Sequence, residues 1–109
     1  SFFKNPIVSN AFAEALKFSH PNAPVFAFGD DQHKKISAAW LIEHAGVRKG
    51  FRLPGSGAAI SSKHTLAITN RGAASADDVA QLARLVVQRV QQEFGVLLVP
   101  EPSLYGIEL

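Results

Sequence analysis

The side chains best suited to metal binding or proton transfer near neutral pH are the four histidines, His20, His33, His44 and His64. Their separations fit no metal-ligand spacing, and order along the chain singles out no Ser/His/Asp set. Cysteine is absent, which excludes thiolate nucleophiles, disulfides and Cys-based metal sites and suits a reducing compartment. The glycines of "PGSGAAISSK" (54–63) match neither the phosphate-loop nor the dinucleotide pattern, and that stretch reads as a generic flexible loop. Trp40, on an apolar helix face, reads as core. Residue types alone therefore name no reaction.

The elements that must position any such chemistry are easier to read. A chain of 109 residues suits one domain with one core. With 11 basic and 9 acidic side chains the net charge is +2, and the basic clusters Lys34-Lys35 and Arg48, Lys49, Arg52 lack interleaved aromatics. Nucleic-acid binding is accordingly not expected. No apolar run approaches the roughly 18 residues of a membrane span, and no signal-peptide pattern is present, so a soluble, cytoplasmic protein is expected. The chain begins without methionine on Ser1, Phe2 and Phe3. Two adjacent phenylalanines in a strand point to opposite faces and both need cover, so the opening reads as mid-chain sequence and the chain as a fragment.

"FFKNPIVS" reads as extended up to Ser9 or Asn10, which caps a helix in "NAFAEALKFS" that stops at His20-Pro21. "PVFAFGDD" reads as a strand entering a turn at Gly29-Asp30-Asp31, after which "KKIS" leads into a second helix capped by Ser37. "GVRKGFRLPGSG" is a long loop punctuated by Gly and Pro, and so a candidate functional loop. "TLAITN" is rich in β-formers. A third helix, capped by Ser75 with Asp78 at its third position, carries Val79, Leu82, Ala83, Val86, Val87, Val90 and Phe94 at spacings of three and four and ends at Gly95. "VLLV" then reads as a strand. Strands flank helices throughout, which predicts an α+β fold with helices packed on one face of a small sheet.

Four segments in order carry a resemblance: "SFFKNP", "AAWLIEHAGVRKGFR", "GAAISSKHTLAITN", and the capped helix running into "FGVLLVPEP". Together they resemble the C-terminal region of the UDP-N-acetylenolpyruvylglucosamine reductase family, also called UDP-N-acetylmuramate dehydrogenase. The similarity covers nearly the whole chain. It implies a substrate-binding domain over 1–99 and a segment over 100–109 that carries a catalytic glutamate and leads back toward an absent FAD-binding domain. The implied parent is a monomeric flavoenzyme of bacterial peptidoglycan synthesis, serving cell-wall biogenesis, cell shape and division. NADPH reduces FAD, and UDP-N-acetylglucosamine enolpyruvate then takes up hydride at C3 and a proton at C2 to become UDP-N-acetylmuramate. FAD would be bound mainly by the absent upstream domain, leaving the fragment inactive by itself, with no metal, nucleic acid or membrane involved.

Residue by residue, Ser1 matches the serine that resembles the proton donor to C2. Glu101, in "VPEP", matches a carboxylic acid that acts on the enolate, and in that role it must hold a proton, which burial beside substrate favours. Asn5 matches an asparagine near the UDP diphosphate, whose NH₂ suits phosphate oxygens. Lys4 could add a cation there or, alternating with Asn5, face solvent. His64 falls where the family places a polar substrate contact. The chain departs from the pattern where Leu53-Pro54-Gly55-Ser56 lengthens a loop, where Pro102 replaces a β-branched residue, and where Ser103 replaces arginine. Two other readings stay open: a nucleotide-sugar binding module without redox activity, and a regulatory or nucleic-acid-binding module suggested by a pI near 9.2.

Overall fold

Serine caps start two of the helices and glycine ends the third. The computed structural model describes residues 2–60, 68–70 and 76–101. Helix α1 (Asn10–Ser19) begins where the Oγ of Ser9 accepts a hydrogen bond from the Phe12 N–H at 3.1 Å. Helix α2 (Ala38–His44) begins in the same way, with Ser37 Oγ accepting from the Trp40 N–H at 3.1 Å. Each hydroxyl satisfies one of the donors that the first helical turn leaves open. Helix α3 (Ala76–Phe94) ends at Gly95, whose φ of 71° is the left-handed conformation that closes many helices. Ser75 lies outside the described residues. Asp78, expected to serve that cap, accepts from the Gly57 N–H at 3.3 Å and so ties α3 to the long loop that follows α2.

Strands β1 (Ile7–Ser9), β2 (Val25–Ala27) and β3 (His33–Ile36) form an antiparallel sheet in the order β1-β3-β2. "HKKI" is thus the central strand, where the sequence suggested only a lead into α2. Strand β4 (Ala58–Ile60) pairs antiparallel with β5 (Ile68–Asn70). The stretch read as a flexible loop is therefore partly a fully buried strand. The long loop before it is stitched to the same hairpin. Gly50 N–H donates to Ile60 O (3.0 Å) and Ile60 N–H to Phe51 O (2.7 Å), while within the loop Arg52 Nη2 donates to Ser56 O (2.7 Å).

Helix α1 packs on β1 and β3, while α3 packs on α2 and β4. One core joins them, with Phe2, Phe3, Ile36, Leu41, Ile42, Ile60, Leu82, Val86, Val90 and Leu98 all buried. Burial of each such side chain contributes about 1.5–3 kcal/mol. The α+β fold with helices on a small sheet is as expected. Trp40 is only half-buried: it packs against this core beside Phe94 and lies stacked on His44, ring centroids 4.0 Å apart. "VLLV" alternates buried and exposed residues but forms no regular strand; pairing begins only at its end.

Candidate functional site

Phe3 and Pro100 are bridged in antiparallel fashion, with Lys4 N–H donating to Val99 O and Glu101 N–H donating to Phe2 O, at 2.9 and 2.8 Å. In an antiparallel ladder, hydrogen-bonded and non-bonded pairs alternate. Pro100 occupies the non-bonded position, so its missing N–H costs the ladder nothing. Both phenylalanines are buried, their rings meeting edge-on with centroids 4.9 Å apart. These anchors hold the ladder on the core. As a result "FFKN" and "VPE", almost a hundred residues apart, lie side by side, and Glu101 is fixed opposite Phe2. Glu101 is half-buried, and its carboxylate has no ion pair or hydrogen bond among the described residues.

Past Lys4 and Val99 the two strands diverge. They leave an open cleft of about 590 Å³, lined by Lys4, Asn5, Pro6, Ile7 and Val8 on one side and Val96, Leu97 and Val99 on the other. Lys4 and Asn5 are both exposed there. Asn5 Oδ1 accepts a hydrogen bond from the Ala38 N–H, the first residue of α2, at 2.9 Å. That bond settles the amide's orientation: the carbonyl faces the helix, and the NH₂, with no partner among the described residues, is left to donate elsewhere. Glu101 does not line the cleft. It stands two positions beyond Val99, at the far end of the ladder.

Ser1 and His64 lie outside the described residues. The other histidines are accounted for locally. His33 Nδ1 meets Asp30 Oδ2 at 2.8 Å, His44 stacks on Trp40 with its Nδ1 2.9 Å from the Trp40 carbonyl oxygen, and His20 packs edge-on against Trp40. Among the described residues no group of three or more His, Asp or Glu could hold a metal ion. No helix is long and apolar enough to cross a membrane among those residues. The cleft's walls are largely aliphatic, and Lys4, Asn5 and Ser9 carry the side-chain donors among the residues that line it. The role of Asn5 as an anchor for α2 has no signature in the sequence, because its partner lies 33 residues away.

Fold and site together define a small α+β domain in which a polar strand segment and a glutamate from the far end of the chain share one ladder. The family model for the UDP-N-acetylenolpyruvoylglucosamine reductase C-terminal domain matches residues 1–105. The chain belongs to that family. It is 54% identical to a UDP-N-acetylenolpyruvoylglucosamine reductase of Leifsonia xyli subsp. xyli, covering 100% of this chain and 35% of the relative. A second such reductase, "reductase 2" of Corynebacterium glutamicum, is 50% identical over 100% of this chain and 30% of its own length. That of Cutibacterium acnes is 48% identical over 97% and 27%. The chain thus spans about a third of the length of the curated relatives it matches.

Proposed function

We propose that this chain is the substrate-binding part of a cytoplasmic, monomeric bacterial enzyme that reduces UDP-N-acetylglucosamine enolpyruvate to UDP-N-acetylmuramate for peptidoglycan synthesis. NADPH is the reductant and FAD the relay, carried by the two thirds of the protein outside this chain. The observation that supports this reading is the ladder of Phe2–Lys4 with Val99–Glu101, which joins the two segments carrying the family's most specific motifs. Residues 1–99 form the substrate domain in this reading, and 100–109 carry Glu101 back toward the flavin domain.

The chemical problem for this chain is charge. Reduction at C3 of the enolpyruvyl double bond loads negative charge onto C2 and the adjacent carboxylate, and a proton must then reach C2. Glu101 donates a hydrogen bond to that charge as it develops, and Ser1 delivers the proton to C2. The Asn5 NH₂ donates to the diphosphate, with Lys4 adding a cation in the same cleft and His64 a further polar contact. Asn5 lies three residues from the partner of Glu101, roughly 10 Å along an extended strand. A nucleotide sugar is long enough for its diphosphate to sit in the cleft while its enolpyruvyl end reaches Glu101.

An acid that meets charge only as it develops binds the transition state better than the ground state, which lowers the barrier. In the full-length enzyme, Glu101→Gln is expected to slow oxidation of reduced flavin by substrate about 10³-fold, a rise of roughly 4 kcal/mol in the barrier, with substrate affinity changed far less. Stopped-flow absorbance and a thermal melt on the same variant decide the matter. A rate loss of about tenfold or less, roughly 1.4 kcal/mol, with a lowered melting temperature, would show that Glu101 only anchors the strand.

A further inference from the structure

Among the described residues, the helix packed on the three-stranded sheet is α1, which covers one face through β1 and β3. Ile36 is buried and pairs with Val25, while Lys34 pairs with both Val8 and Ala27. Val8 and Val25 pack on the core, so this set of alternating positions faces inward. The other set faces outward. Ile7, Lys35 and Phe26 form a row across all three strands, and Ser9 and His33 start the next. Phe28 continues that second row, its ring 6.4 Å from that of His33.

An antiparallel sheet can face water on one side, but its outer positions are then polar. Here Ile7 is 41%, Phe26 50% and Phe28 42% exposed, on one face and in adjacent rows. Lys35, between Ile7 and Phe26, has no ion pair among the described residues. Contiguous apolar surface with a cation at its centre marks an interaction face rather than a solvated one. Moreover, the curated relatives carry about two thirds of their length outside the part that this chain matches.

We infer that the outer face of the β1-β3-β2 sheet, built from Ile7, Phe26 and Phe28 around Lys35, is where the remainder of the full-length protein docks, presenting apolar side chains and a carboxylate toward Lys35. Ile7 also lines the cleft that holds Lys4 and Asn5, so a domain seated on this face forms the cleft's missing wall. The docking rests on this surface and on the length of the curated relatives, and it stands whether or not the proposed chemistry does.

The test is cysteine accessibility in the full-length protein, with maleimide labelling at the introduced residue read by peptide mass spectrometry. Phe26→Cys and Phe28→Cys are compared with Phe18→Cys on α1, where the native side chain is 89% exposed. Docking predicts labelling at positions 26 and 28 at least about tenfold slower than at 18, independent of protein concentration, with equal rates in denaturant. Comparable native rates at all three positions would overturn the proposal. So would protection that disappears on dilution, because the occupant would then be a second copy. A third variant, Lys35→Glu, separates packing from charge: it is expected to restore labelling at position 26 toward the rate at 18, and unchanged protection would remove the carboxylate from the proposal.

Discussion

Asn5 carries two jobs in one side chain, and each half of its amide can be removed separately. Its Oδ1 holds the first N–H of α2, while the proposed function uses its NH₂. Asn5→Ala removes both and is expected to destabilise the domain by about 1 kcal/mol, the usual worth of a helix-start acceptor, as read by urea denaturation. Asn5→Asp keeps an acceptor for Ala38 but puts negative charge in the cleft. Stability should therefore be nearly unchanged while, on the proposed function, the Michaelis constant of the full-length protein for the proposed nucleotide-sugar substrate rises steeply. If the aspartate variant bound substrate normally, Asn5 would be an anchor only.

Asp30, in the turn between β2 and β3, shows local electrostatics away from the site. Its carboxyl is held below the usual aspartate value, first by the side-chain hydrogen bond from His33 and then by the N–H of Gln32. A depressed value means that its contribution to the turn is complete above the unfolded value of about 3.9. That contribution is lost as the pH falls through the lower folded value. A carboxyl-carbon NMR titration should give a midpoint for Asp30 below the unfolded value of about 3.9, and His33→Ala should raise it part of the way, because the backbone N–H groups of residues 32 and 33 still donate to the carboxylate.

At the scale of elements, caps and glycines carry more of the design than the strands do. Ser37→Ala removes the acceptor for Trp40 N–H and should lower stability by about 1 kcal/mol. At Gly95 the added methyl of Gly95→Ala would meet nothing within 4 Å. Its penalty, about 1 kcal/mol, is then a purely backbone one from the left-handed conformation, and thermal denaturation of both variants tests these values. All three helices are legible in the sequence because Ser9, Ser37 and Gly95 mark ends that local chemistry dictates. Strands β3 and β4 are not. "HKKI" carries two lysines in its center, and "AAI" is poor in β-formers; each is a strand because of its neighbours, and strand preference is mostly a matter of such context. Lys34 and Lys35 are both half-buried in that central strand, a setting that the long alkyl stem of lysine tolerates by covering apolar surface. The candidate site residues come from motif resemblance alone, and the tie from Asn5 to Ala38 depends on tertiary packing that no local pattern encodes.

For the molecule as a whole, one core couples the sheets, so damage anywhere within it should be felt as a loss of global stability. Leu82→Ala, on the buried face of α3, is expected to cost about 2–5 kcal/mol by chemical denaturation. The isolated domain, mixed with FAD and desalted, should stay colourless, since the proposed function places the flavin on the part of the protein outside this chain; stoichiometric retained flavin would refute this. The pairing of Phe2–Lys4 with Val99–Glu101 has a kinetic meaning as well. It closes a loop of nearly the entire chain, at an entropic cost on the order of 4 kcal/mol. Contacts so distant in sequence form after local helices and hairpins in most small domains. Substitutions in this ladder, such as Val99→Ala, should therefore accelerate unfolding while leaving the refolding rate almost untouched. Glu101 would then reach its place only in the last step of folding, so that no partly folded intermediate could carry the assembled site.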